Sequence, residues 1–300
     1  MMRAILICLL ALLLAPAAQA APVPQTITVD GLTRHFLLYV PASVAAVPTP
    51  VPLVMVLHGG GGSDREVARS TRHRFETLAD QAGFILVYPD AIGRIWDTGE
   101  GEVSNALRPR RDDLAFLKAT VAAVAARYPV DRSRLFATGI SRGGHASYML
   151  ACRAPGLFRA IAPVSMTLPA GLAAECAKAP PTGVLLIQGT ADPIVPYDGG
   201  RVTVLGRPRD SVLSADATME IFRGVNRCAP VAQVDAMGAV DRLTWQACRA
   251  PTRMDRINGG GHSWPSGRAL LPAMIVGNSS TDISAPDEIW AFFSGFPARP

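Results

Sequence analysis

Leu135-Phe136-Ala137-Thr138 runs without a break into Gly139-Ile140-Ser141-Arg142-Gly143-Gly144, and a stretch of helical spacing follows to Ala154. A serine that attacks a substrate must stand clear of the sheet on a tight strand-to-helix turn. Side chains two residues before and after it would collide with that turn, so glycine at 139 and 143 meets the demand. The motif is short; its place between an apolar strand and a helix is what the mechanism requires. The helix start also supplies N–H groups and the positive end of the helix dipole beside any negative charge that develops on a substrate. Ser141 is the candidate nucleophile.

Outward from this turn, strand and helix patterns alternate. Thr26 to Val40 reads as two strands around the turn dipeptide Asp30-Gly31. Val51 to Leu57 and Phe84 to Tyr88 are short, mostly apolar runs, expected as buried strands. Between them, Glu66 to Ala82 has helical spacing and closes at Gly83. A polar loop spans Ala91 to Arg111, and Asp113 begins a helix that ends near Tyr128-Pro129. Further strands are expected at Ala160 to Val164 and Val184 to Gln188, with weaker ones at Leu243 to Gln246 and Met254 to Ile257. Helices are expected at Ser211 to Val225 and Ile283 to Phe293. Buried strands alternating with amphipathic helices predict an α/β fold with a mainly parallel central sheet and helices on both faces.

The remaining machinery must follow in the chain order Ser, Asp, His. Asp192 sits in Gly189-Thr190-Ala191-Asp192-Pro193, at the end of the Val184 strand, where a short loop can hold a carboxylate beneath an imidazole. Asp198 is its rival, but its neighbours Gly199 and Gly200 assign it to a turn. His262 lies in Gly259-Gly260-Gly261-His262-Ser263-Trp264-Pro265, after the last strand candidate. The other histidines, His35, His58, His73 and His145, stand in the wrong order or inside expected elements. His262 is the candidate base. His58-Gly59-Gly60-Gly61-Gly62 follows an early strand and offers backbone N–H groups without side chains in the way. Gly60 N–H and Arg142 N–H are the expected oxyanion donors. His58 itself reads as a residue that orients this loop. A phosphate-binding loop would need a Lys-Ser/Thr pair after the glycines, and none follows. Trp264 either lines a substrate pocket or packs its loop.

The chain starts with a short basic segment, Met1 to Arg3, then the apolar run Ala4 to Leu14, then Ala18-Gln19-Ala20. This is the pattern of a signal peptide, residues 1–20, with cleavage before Ala21 and one domain over 21–300. The run is shorter than the ~20 apolar residues a membrane span needs, so no stable membrane insertion is expected after cleavage, and the protein is expected to be secreted or periplasmic. Removal of Cys8 leaves Cys152, Cys176, Cys228 and Cys248. In an exported chain these imply two disulfides; three pairings are possible, and the sequential one is favoured. No zinc-site spacing occurs, and no metal or organic cofactor is expected. The composition is 49% hydrophobic and 18% charged, with a net charge of +5. Basic residues are scattered, which argues against a nucleic-acid partner.

These motifs, together with Val54-Met55-Val56-Leu57-His58-Gly59, Leu78-Ala79-Asp80, Val87-Tyr88-Pro89 and Asp192-Pro193-Ile194-Val195-Pro196-Tyr197, resemble those of secreted polyhydroxybutyrate depolymerase-type and feruloyl or acetylxylan esterases. The resemblance runs along nearly the whole chain after the signal. It implies the α/β-hydrolase fold, ester hydrolysis with Ser141, Asp192 and His262 at the triad positions, and a Cys228–Cys248 disulfide. The expected partner is an ester: a polyester oligomer, a cell-wall polysaccharide ester or a small ester. Two departures stand out. Arg142 follows the nucleophile where such esterases often carry Asn or Ala, and the chain ends soon after its last helix, with no separate binding module expected. An acyltransferase, a peptidase or a non-catalytic binding protein on the same scaffold are the rival readings.

Overall fold

The computed structural model describes residues 21–46, 48–99 and 111–299. Six parallel strands form the middle of its sheet: β3 (Val51–Leu57), β4 (Ile85–Asp90), β5 (Val130–Ile140), β6 (Ala160–Val164), β7 (Gly183–Gly189) and β12 (Thr252–Ile257), in the order β4-β3-β5-β6-β7-β12. The antiparallel hairpin of β1 (Val23–Val29) and β2 (Leu32–Tyr39) extends the β4 side. On the other side β11 (Val240–Trp245) and β10 (Ala232–Met237) continue from β12, also antiparallel. Among the described residues the sheet thus has ten strands. A separate two-stranded hairpin pairs β8 (Gly200–Val204) with β9 (Arg207–Val212).

Successive strand residues point to opposite faces, and both faces are buried, which is why the strands read as continuous apolar runs. Leu53, Met55 and Leu57 pack with α3 (Asp113–Ala125), α4 (Arg142–Arg153) and α5 (Ala215–Val225). Val54 and Val56 face the other layer, α1 (Asp64–Ser70), α2 (Arg74–Ala82) and α6 (Ala285–Ser294). There Phe136 stacks on Phe293 with ring centroids 4.6 Å apart. Full burial of each such side chain stabilises the fold by about 1.5–3 kcal/mol. The sheet and its two helical layers are the mainly parallel α/β arrangement expected from the sequence.

Two expected helices differ. Glu66 to Ala82 is two helices, not one. Ser70 Oγ and Thr71 Oγ1 donate to the Val67 carbonyl, His73 N–H reaches back to Ala68 O, and Arg72 and His73 take left-handed φ of 54° and 56°. Side-chain and C-cap bonds have replaced the helical ladder there. The helix expected from Ser211 begins instead at Ala215, capped by Ser214 Oγ, which accepts from Ala217 N–H at 3.0 Å. Ser211 and Val212 end β9. β8, β9 and β10 were not legible in the sequence.

Disulfides join Cys152 to Cys176, tying α4 to the single turn Ala173–Cys176, and Cys228 to Cys248. This is the sequential pairing. No helix among the described residues is long and apolar enough to cross a membrane. The proposed signal, residues 1–20, and part of the Ala91 to Arg111 loop, residues 100–110, lie outside the described residues.

Candidate active site

Because β5, β7 and β12 run parallel, the loops that leave their C-terminal ends meet along one edge of the sheet. Those loops carry Ser141, Asp192 and His262. Ser141 stands between β5 and α4 with φ 55° and ψ −121°. This is a strained conformation for a residue with a side chain, and its persistence requires the surroundings to enforce it. They do so through backbone: Ser141 N–H donates to Val164 O at 2.9 Å, and its carbonyl accepts from His145 N–H at 3.0 Å.

Gly143 explains the motif's spacing. A Cβ built there would lie 2.3 Å from Leu57 O and 2.7 Å from His58 O, both main-chain atoms. A Cβ at Gly139 would meet the Gly143 backbone at 2.6 Å. The glycines therefore let the first turn of α4 sit directly against the ends of β3 and β5.

His262 Nδ1 lies 2.8 Å from Asp192 Oδ2. With a carboxylate as acceptor, Nδ1 carries the proton and Nε2 keeps the lone pair. Asp192 is fixed from several sides. Its Oδ1 accepts from Ile194 N–H at 2.8 Å and Val195 N–H at 2.9 Å, and Gln188 Nε2 donates to Oδ2 at 3.3 Å. The Asp192 side chain is wholly buried and that of His262 only 8% exposed. The imidazole is held by its own main chain too, since His262 N–H donates to Val276 O. Gly261 makes this possible, as a Cβ there would lie 2.2 Å from the same Val276 oxygen. Asp198, the rival carboxylate, belongs to the turn closed by Gly199 N–H on Pro196 O.

The His58–Gly62 loop packs beside the Ser141 turn. Gly61 N–H donates to Arg94 O and Gly62 N–H to Gly59 O, so those two donors are spent within the loop. A Cβ on Gly60 would lie 3.7 Å from Arg142 Cβ, which sets the two expected oxyanion donors in neighbouring residues. His58 orients this loop. Its Nδ1 is 2.7 Å from Gly59 O, and its Nε2 accepts from Ala91 N–H at 3.0 Å, which is the neutral tautomer. Burial holds its pKa below the usual histidine value.

Of the two readings open for Trp264, packing of its loop is the one its surroundings favour: it is 2% exposed and meets Phe75 edge-on at 6.1 Å within the core beneath α2. Three residues near the site were missed in the sequence. Trp96, fully buried, donates from Nε1 to His58 O at 2.8 Å, and its carbonyl accepts from Arg142 Nε at 3.2 Å. Asp210, on β9, pairs with Arg142 Nη1 at 2.9 Å. Gln188 could have been found, because a glutamine closing the apolar run Val184 to Ile187 needs a polar partner. Nothing near Trp96 or Asp210 in the sequence marked them.

Comparison with known proteins now decides the family. The family described as "Esterase PHB depolymerase" matches residues 34–200, more than half of the chain. The chain belongs to this family. As a member of the Esterase PHB depolymerase family it is a hydrolase acting on ester bonds. Among curated relatives, "Putative esterase NocK" of Nocardia uniformis subsp. tsuyamanensis is 30% identical over 93% of this chain and 85% of its own length. "Probable feruloyl esterase C" of Aspergillus terreus is 29% identical over 87% of this chain and 84% of its own. Among solved structures, the acetyl xylan esterase from Aspergillus awamori superimposes with a TM-score of 0.58 at 17% identity, covering 80% of this chain and 94% of that one. This last likeness is one of fold, the α/β-hydrolase fold.

Proposed function

We propose that this esterase is exported and hydrolyses carboxylic esters, of the feruloyl, acetylxylan or hydroxyalkanoate kind, through an acyl-enzyme on Ser141. The observation that carries the reading is the buried Asp192–His262 pair, 2.8 Å apart, on the same sheet edge as a serine in a strained strand-to-helix turn. His262 Nε2 takes the Ser141 proton as the hydroxyl attacks the ester carbonyl. Asp192 holds the ring in the required tautomer and stabilises the imidazolium that forms. The oxyanion is met by Arg142 N–H at the start of α4 and by Gly60 N–H. His262 then protonates the departing alcohol, and water, activated by the same imidazole, releases the acid. The reading uses no metal and no organic cofactor. Export is supported by the apolar run in residues 1–20 and by the two disulfides, which persist in oxidising compartments.

The test is a panel of nitrophenyl acyl esters, methyl ferulate, acetylated xylan and hydroxybutyrate oligomers, assayed with residues 21–300 and with Ser141→Ala. Serine-dependent turnover of at least one ester is expected. Turnover of none, or turnover that survives the substitution, would refute the proposal.

A further inference from the structure

Arg142 follows the candidate nucleophile in the chain, and its side chain is tied down on the active edge of the sheet. Its Nε donates to Trp96 O at 3.2 Å and its Nη1 to Asp210 Oδ2 at 2.9 Å, with the arginine side chain 14% exposed. The cation lies no further from the Arg142 N–H, an expected oxyanion donor, than the length of its own side chain. A full charge so placed acts on any ester that enters the site.

Asp210 reaches Arg142 from the β8–β9 hairpin, which stands outside the main sheet. Thr203 N–H, on β8, donates to Ile194 O at 3.0 Å, and Leu213 N–H, just past β9, donates to Leu168 O at 2.9 Å. Ile194 and Leu168 follow β7 and β6, so the hairpin spans loops of the same edge that carries Ser141. Its register shifts between Arg201 and Thr203, which sets Arg209 and Asp210 together against Val202. Such a bulge re-aims side chains. Val212, two residues after Asp210, is buried, while Arg209 and Ser211 at the alternate positions are exposed. The hairpin therefore turns its one carboxylate inward, onto the Arg142 guanidinium.

The place of this pair decides what it does to a substrate. His262 protonates the departing alcohol, whereas the acyl group borders the oxyanion donors, Gly60 N–H and Arg142 N–H. A guanidinium without a counter-charge on that side would take an acyl group ending in a carboxylate by two-point contact. With Asp210 seated on the guanidinium, the same carboxylate meets a like charge, which costs binding. Resting on the esterase reading above, we infer that Asp210 is a specificity-determining residue: by holding the Arg142 guanidinium it reserves the acyl side of the site for uncharged acyl groups and turns away those that carry a carboxylate. Asp210 touches no reacting atom and acts through Arg142.

The experiment is a cycle of wild type, Asp210→Asn, Arg142→Gln and the double variant; Arg142→Gln keeps the main-chain N–H. kcat/KM is measured on 4-nitrophenyl butyrate and 4-nitrophenyl hemisuccinate, which share a leaving group and an acyl length, with thermal melting as the control for folding. The ratio of hemisuccinate to butyrate should rise about five-fold in Asp210→Asn, through KM, and fall in Arg142→Gln. In the double variant it should return to within about two-fold of wild type. Asp210→Glu should keep the wild-type ratio. An Asp210 that only supports the fold would change both esters together. An unchanged ratio in Asp210→Asn would overturn the inference, as would a rise that persists when Arg142 is also replaced. Should Asp210→Asn not fold, Arg142→Gln still decides, since a ratio that does not fall there overturns the inference. Binding of monoethyl succinate and ethyl butyrate to Ser141→Ala and Ser141→Ala/Asp210→Asn, followed by NMR titration, separates this inference from the esterase reading. Wild-type protein that cleaves no ester would refute the esterase reading alone. Tighter binding of the succinate only in the Asp210→Asn form would still uphold the selectivity, and equal binding in both forms would overturn it.

Discussion

Replacing Asp192 by Asn tests the proposed base in its simplest part, the choice of imidazole tautomer. The substitution changes one oxygen to an NH2 group of nearly the same size, so packing around the site is preserved. Oδ1 is committed to two backbone donors, Ile194 N–H and Val195 N–H, and the amide oxygen will take that position. The NH2 group is then left facing His262 Nδ1, where Oδ2 had accepted at 2.8 Å. It also faces Gln188 Nε2, a second donor. Two N–H groups cannot share that line, so the ring proton moves to Nε2 and the nitrogen that should receive the serine proton loses its lone pair. In a Ser-His-Asp site this error costs a factor of about 10⁴ in kcat, or about 5.5 kcal/mol of barrier. The assay is kcat on 4-nitrophenyl acetate, with thermal melting as the control for folding. A folded Asp192→Asn protein that keeps more than about a tenth of wild-type kcat would refute the reasoning.

Other consequences follow from the same contacts. Gly143→Ala places a Cβ 2.3 Å from Leu57 O; overpacking of this kind costs about 1–3 kcal/mol, so melting should fall by several degrees, and the folded remainder should be inactive because α4 must move. Trp96→Phe keeps the ring but removes the donor to His58 O; an orphaned carbonyl and a loosened loop should lower kcat about ten-fold with KM little changed, as steady-state kinetics would reveal. Burial lowers the pKa of both His58 and His145, the latter strongly. Between those folded values and the unfolded value of about 6.5, the unfolded chain binds more protons. Stability should therefore be full above that pH and decline as pH falls below it, by up to about 1.4 kcal/mol per unit for each group; urea titrations should show the decline, and a folded His145→Leu protein should show less of it.

How far the sequence revealed this depended on burial. β3, β5, β6 and β7 were legible because both sheet faces are covered, which forces continuous apolar runs such as Val51 to Leu57. The turn at Ser141 was legible because its glycines answer to backbone contacts between adjacent elements. The break at Thr71-Arg72-His73 was hidden, since Ser70 and Thr71 end the helix through their own hydroxyls and leave the apolar spacing intact. β9, reading Arg207-Pro208-Arg209-Asp210-Ser211-Val212, has no apolar alternation because most of its residues are exposed. β10 is an edge strand, mostly exposed, and is silent for the same reason. Arg142 was noticed as an unusual neighbour of the nucleophile, but its partner Asp210 lies 68 residues away and no local pattern joins them. Trp264 carried two readings because one indole can line a pocket or fill a core, and only its 2% exposure favours the second.

The central claim is that Ser141 carries the acyl group. The most direct measurement is mass spectrometry of residues 21–300 after reaction with a fluorophosphonate, followed by peptide mapping. The account predicts one adduct per chain, on the peptide containing Ser141, formed together with loss of esterase activity and absent from Ser141→Ala. An adduct on another residue, or esterase activity that persists in a fully labelled protein, would contradict it.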